Sequence, residues 1–159
     1  MALVLEWDFE QYQEGECLIA LHTRFEPCKL AYWLNKILDI RLRRAINDLY
    51  DKDSDTLFAL FSFSYEQEAV WHLIANRVRT MTSVGLFTQV EAYQLFIKEL
   101  PQVDYFLRIN PCEQSQDYVS LLKAQYFIDL VYEIPLFPEG KLTYKEQRKL
   151  NEIKAKLIF

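Results

Sequence analysis

Glycine is scarce in this chain, occurring only at positions 15, 85 and 140. A phosphate-cradling turn needs several glycines within a few residues, so neither a P-loop nor a dinucleotide-binding turn can be built here. Histidine is scarcer still, with His22 and His72 alone, and neither sits near a nucleophile motif such as G-x-S-x-G. His72 lies between Val70 and Ile74 on one strand face, a setting that suits a half-buried structural ring better than a catalytic base. Cys17, Cys28 and Cys112 stand far apart with no C-x-x-C pair, which argues against a disulfide framework and reads as reduced packing residues. Cys17, His22 and Cys28 come closest to a metal cluster, yet Cys17 and His22 are five apart on one strand and point to opposite faces. Asp51, Asp53 and Asp55 copy the first ligands of an EF-hand loop, but Thr56 replaces its glycine and Ser62 its closing glutamate, which leaves a polar turn. No metal, no cofactor and no catalytic residue is assigned.

Long apolar runs are also lacking. None approaches the roughly 20 residues of a membrane span, and the first residues meet acidic side chains after four apolar ones, without the basic start of a signal peptide. The expected location is cytoplasmic, with no membrane partner.

What is present is apolar and aromatic side chain, 51% and 15% of 159 residues. That suits one domain with an ordinary core and excludes disorder. Leu3, Leu5, Trp7 and Phe9 alternate as a first strand, and residues 17–22 follow as its hairpin partner. Pro27 suits a first helical position, and Leu30, Trp33, Leu34, Ile37 and Leu38 recur at helical spacing, which predicts a helix over 27–38. Strands are expected over 40–50, 57–65 and 70–79, the first with Ile40, Leu42, Ile46 and Tyr50 on one side. In residues 80–96 the spacing of Val84, Leu86, Val90, Tyr93 and Ile97 fits a helix, whereas Gly85 and the preceding Thr and Ser residues oppose one.

Residues 97–109, IKELPQVDYFLRI, pair an irregular lead-in with a strand. Val103, Tyr105, Leu107 and Ile109 point one way, and Asp104, Phe106 and Arg108 the other; this is the expected centre of the sheet. Ser115 is placed as the cap of a second helix, residues 128–134 form a further strand, and Thr143 with Glu146 is a capping-box pattern opening a last helix. The result is an α+β domain with a largely antiparallel sheet and about three helices in the order ββαββββαβα. Residues 1–140 form the domain, and 141–159 a basic C-terminal helix or arm packed on it.

Several strands are apolar on both faces, so either helices cover both or one face meets another chain. Charge is uneven: Glu6, Asp8, Glu10, Glu14 and Glu16 crowd one end, while Lys141, Lys145, Arg148, Lys149, Lys154 and Lys156 crowd the other. Arg41, Arg43 and Arg44, with Lys145, Arg148 and Lys149, make a candidate basic patch for RNA phosphates, although the chain is acidic overall at a net charge of -5. Acid–base chemistry would fall to Glu99 and Asp104. The alternative is that Glu99 organises the bend while Asp104 pairs with Arg108, two residues away on its strand face.

Ile97, Glu99, Val103, Asp104 and Tyr105 at this spacing resemble the signature of the IPExxxVDY family of uncharacterised bacterial proteins. Lys98 stands where that family has proline, and Pro101 follows three residues later. Residues 30–38, 73–77 and 157–159 are similar to family members as well. The resemblance implies a bacterial, cytoplasmic protein, and it carries no catalytic role onto Glu99, Asp104 or Tyr105. The expected function is a non-catalytic protein-interaction or self-associating module, with an unknown protein partner or a homodimer. The alternative is an RNA-associated accessory factor.

Overall fold

The structure, a computed structural model, describes residues 15–66 and 69–159. The strand expected over Leu3 to Phe9 lies outside them. Among the described residues, strands β1 (Cys17–His22), β2 (Arg43–Arg44), β5 (Leu60–Tyr65), β6 (Ala69–Ala75), β9 (Tyr105–Asn110) and β10 (Leu130–Ile134) form one six-stranded sheet. Its order is β10-β1-β9-β6-β5-β2, antiparallel throughout. Two hairpins stand beside it: β3 (Leu49–Asp51) with β4 (Thr56–Phe58), and β7 (Arg77–Val84) with β8 (Thr88–Leu95). Among the described residues three helices complete the α+β fold: α1 (Pro27–Leu38), α2 (Ser115–Lys123) and α3 (Tyr144–Lys156).

β9 lies at the centre as expected, flanked by β1 and β6. Tyr105, Leu107 and Ile109 join Ile19, Leu21 and Leu73 in a core covered by α1, through Leu30 and Leu34, and by α2, through Leu122. Leu18, Ala20, Ile74 and Phe106 form a second core on the opposite face, covered by Leu150, Ile153 and Leu157 of α3, by Phe58 of β4 and by Phe96, Ile97 and Val103. The doubly apolar sheet is therefore closed on both faces within one chain. Both edges of β1 are occupied, by β9 and β10.

Local chemistry accounts for the helices. Pro27 opens α1, and Asp39 closes it in the left-handed region at φ 52°, a conformation that short polar side chains tolerate. The α3 capping box is complete: Thr143 Oγ1 accepts from the Glu146 N–H, and Glu146 Oε2 accepts from the Thr143 N–H. Its last turn is tied to the acidic turn before β4, where Lys156 Nζ donates to Asp51 Oδ1 at 2.5 Å and Asp53 Oδ2 at 2.9 Å. Ser115 does not cap α2; its hydroxyl donates to Glu133 of β10.

Several strand expectations need correction. Residues 40–50 are not one strand, because Arg44 donates twice to Asp48 and turns the chain. Ile40 and Leu42 then point into the first core while Ile46 and Tyr50 are exposed. Residues 57–65 divide at Ala59, whose carbonyl accepts from Ala75, so β4 pairs with β3 and β5 pairs with β6. Residues 70–79 divide at Asn76. Residues 80–96 form no helix but the end of β7, the tip and β8 of the hairpin, with Gly85 at φ 77° in its turn, where a non-glycine residue would be strained. Val103 belongs to the second core rather than sharing a face with Tyr105, because regular strand begins only at Tyr105.

Candidate functional site

The motif residues converge on a joint between β6, the β7–β8 hairpin and β9. Asn76, fully buried between the end of β6 and the start of β7, holds it together. Its Nδ2 donates to the carbonyls of Leu100 at 3.0 Å and Val103 at 2.8 Å, and its Oδ1 accepts from the Ile97 N–H at 2.8 Å. Its own N–H donates to the Asp104 carbonyl, and its carbonyl accepts from Phe96. One side chain thus supplies the partners that residues 97–103 lack because they run in no ladder. Asn76, not Glu99, organises the bend.

Asp104 and Tyr105 carry the joint across to the start of α1. Asp104 Oδ2 accepts from the Thr23 N–H at 3.0 Å, and the Tyr105 hydroxyl donates to the Phe25 carbonyl at 2.7 Å. Thr23 Oγ1 accepts from Phe25 and donates to the Phe127 carbonyl at 2.6 Å, which binds the loop before β10 into the same network. Burial pushes the Tyr105 phenol well above its ordinary range, with the Asp104 charge adding to it, so the ring remains a hydrogen-bond donor. The charged neighbour of Asp104 is Arg77, at 3.8 Å, rather than Arg108.

Arg108 instead forms a buried ion pair with Glu16, and its Nη1 donates to the Leu157 carbonyl at 2.6 Å. Its guanidinium lies 5.4 Å from the Phe159 ring, which also packs edge-on against His72. The end of the chain is thereby held over a polar corner of the second core.

Burial, with a smaller contribution from the Arg108 charge, pushes His72 down to about 4. An unfolded histidine titrates near ~6.5, so between these values the unfolded chain binds more protons than the folded one. The stability contributed by the neutral ring is complete above about pH 6.5 and lost as pH falls towards about 4. With solvent screening of a partly exposed ring, the expected loss is about 2 kcal/mol. Urea unfolding against pH should show this slope, and His72→Phe should remove it; a ring titrating near ~6.5 by NMR would contradict it.

Glu99 and Asp104 do not meet. Glu99 lines a shallow groove with Lys145, Arg148, Lys149 and Glu152 of α3, while Asp104 faces Thr23 and Arg77. The grooves that Glu99 borders, with α3 and beside Pro101 and Gln102, do not include Asp104. The six basic residues are likewise divided. Arg41 and Arg43 border a groove with Ser62 and Ser64 at the β2 edge, and Arg44 is engaged by Asp48. Lys149 belongs with Tyr132 and Ile134 of β10, the opposite edge. That second groove, about 380 Å³ and mainly apolar, runs between β10 and α3.

Cys17 and Cys112 pack in the first core as expected, whereas Cys28, on the outer side of α1, does not. Cys17 is buried, Cys28 exposed and Cys112 intermediate, all with free thiols. His22 Nε2 lies 3.2 Å from the Tyr132 hydroxyl. No three His, Cys, Asp or Glu side chains among the described residues are grouped to hold a metal ion.

A group of exposed apolar residues lies beyond the joint, on the β7–β8 ribbon. Leu86 and Phe87 at its tip are 94% and 98% exposed, and Met81, Val84, Val90 and Tyr93 are also exposed. The pairing register divides the ribbon into two faces. Arg77, Arg79, Glu91 and Tyr93 share one, on which Arg79 pairs with Glu91 at 3.4 Å. Val78, Thr80, Thr82, Val84, Thr88, Val90, Ala92 and Gln94 share the other, which carries no charge. Two signals were available in the sequence for what the pattern reading missed: a lone asparagine inside an apolar strand run at Asn76, where asparagine is disfavoured, and the absence of Asp, Glu, Lys and Arg throughout residues 80–90.

Among the described residues no helix is long and apolar enough to cross a membrane. Comparison with family models, curated proteins and solved structures finds no match to this chain.

Proposed function

We propose that this protein is a non-catalytic association module whose working surface is the β7–β8 ribbon. The observation that supports this most is an uncharged ribbon face ending in the exposed Leu86 and Phe87. A two-stranded hairpin is only marginally stable in water, and exposed apolar side chains grouped on one element mark interaction surfaces. The sheet and α3 are less suited to the task, because their apolar residues are spent on the two cores. An RNA-accessory role has weaker support: the arginines of β2 and the lysines of α3 lie at opposite sheet edges, and the chain is acidic.

Membership of the IPExxxVDY family, with a bacterial and cytoplasmic setting, is part of the same proposal. It rests on the spacing of Ile97, Glu99, Val103, Asp104 and Tyr105, four of which anchor the joint from which the ribbon projects. The three free thiols agree with a reducing compartment.

The test compares tagged wild-type protein with Val84→Lys/Val90→Lys as bait in lysate, by quantitative mass spectrometry. Proteins retained by the wild type should be lost from the variant while its circular dichroism is unchanged. Retention of the same set by both would sink the reading.

A further inference from the structure

We infer that the ribbon's partner is a second copy of this chain, with two ribbons packed through their uncharged faces about a two-fold axis; the inference rests on the association reading above. Each copy carries a net charge of -5, so a contact between copies must fall where charge is absent. The Thr80, Thr82, Val84, Thr88, Val90 and Ala92 face meets that condition, while Val78 at its root packs against the second core of its own copy. The ribbon's charges are used within its own copy: Arg79 pairs with Glu91, and Arg77 donates to the Pro101 carbonyl at 2.7 Å. A charged partner would find no counterpart on this face, whereas a copy of the face is complementary to itself, as a two-fold contact requires.

Area decides how the copies meet. A ribbon of this length offers a face about 27 Å by about 10 Å, and a stable interface needs about 800 Å² from each copy. The faces alone fall short. Ribbons crossing in opposite directions bring the tip of each, with Leu86 and Phe87, to the root of the other. At that root β4 contacts β7, and Tyr50 and Leu57 are half exposed. Burying both tips there supplies the missing area, since one aromatic side chain covers about 150–250 Å².

Sedimentation equilibrium of the full chain tests this. The wild type should be a dimer, and Val84→Lys/Val90→Lys a folded monomer with its dissociation constant raised more than about 100-fold by charges buried without partners. Mixing that variant with Thr80→Glu/Ala92→Glu should restore a dimer, since the opposed crossing sets the tip half of one ribbon, with its lysines, against the root half of the other, where those carboxylates lie. A wild type that stays monomeric at about 100 μM, well above the dissociation constant of a typical specific complex, overturns the inference, as does a Lys variant that still dimerises or a mixture that stays monomeric. A monomeric wild type whose lysate partners still depend on Val84 and Val90 overturns the second copy while the association reading stands.

Discussion

Arg108→Met alone should destabilise the fold by about 3–5 kcal/mol, because it leaves the Glu16 carboxylate buried without its cation. The side chains of Arg108 and Glu16 are 7% and 1% exposed, so water cannot take the place of the missing partner. The same change frees the Leu157 carbonyl that Arg108 holds and removes the cation beside Phe159, loosening the end of α3 over the second core. Glu16→Leu combined with Arg108→Met should recover most of the loss, since a buried ion pair replaced by apolar groups of similar volume is often near neutral. Urea unfolding of both single variants and the double variant measures the coupling. A single-variant cost below about 1 kcal/mol would mean the pair is solvated in solution.

Asn76→Ala is the second large effect, at about 4 kcal/mol. It removes the partners of the Ile97 N–H and of the Val103 carbonyl, and one of the two donors to the Leu100 carbonyl, which keeps the Val103 N–H; each buried polar group left unpaired costs about 1–3 kcal/mol. Asn76→Asp should not rescue it, because the acid keeps the acceptor, loses the donor and adds a buried charge. Hydrogen exchange should show the loss concentrated at the root of β7–β8 and in residues 97–104, with β1 protected until global unfolding. Uniform loss of protection, or a cost below about 1 kcal/mol, would show that the joint is held by its packing rather than by Asn76.

The elements that were legible from residue pattern are those whose cause is local. Pro27, the 3.6-residue spacing of α1 and the Thr143–Glu146 box act within a turn or two of helix, so they act alike in any fold. The alternation of Tyr105, Leu107 and Ile109 marked a buried strand at the centre of the sheet. The doubly apolar β5, β6 and β9 implied two covered faces but not what covers them. Breaks at Ala59 and Asn76 were hidden, because the apolar pattern runs through both positions while the backbone changes hydrogen-bond partner.

The candidate site shows the same division. The Ile97 to Tyr105 motif stands out by spacing, yet the roles of its members come from residues far along the chain: Asn76 clamps the bend, Thr23 and Phe25 receive Asp104 and Tyr105, and Glu16 takes Arg108. Glu99 and Asp104 are five positions apart and face different neighbours, so proximity in sequence was a poor guide to a shared site. By itself, the sequence determined the α+β class, the helices and the central strand, because side-chain periodicity and capping are short-range. Tertiary structure alone decided which polar groups meet, how each face of the sheet is covered and that residues 77–95 stand out as a ribbon with one uncharged face, because those depend on contacts between segments that no local pattern encodes.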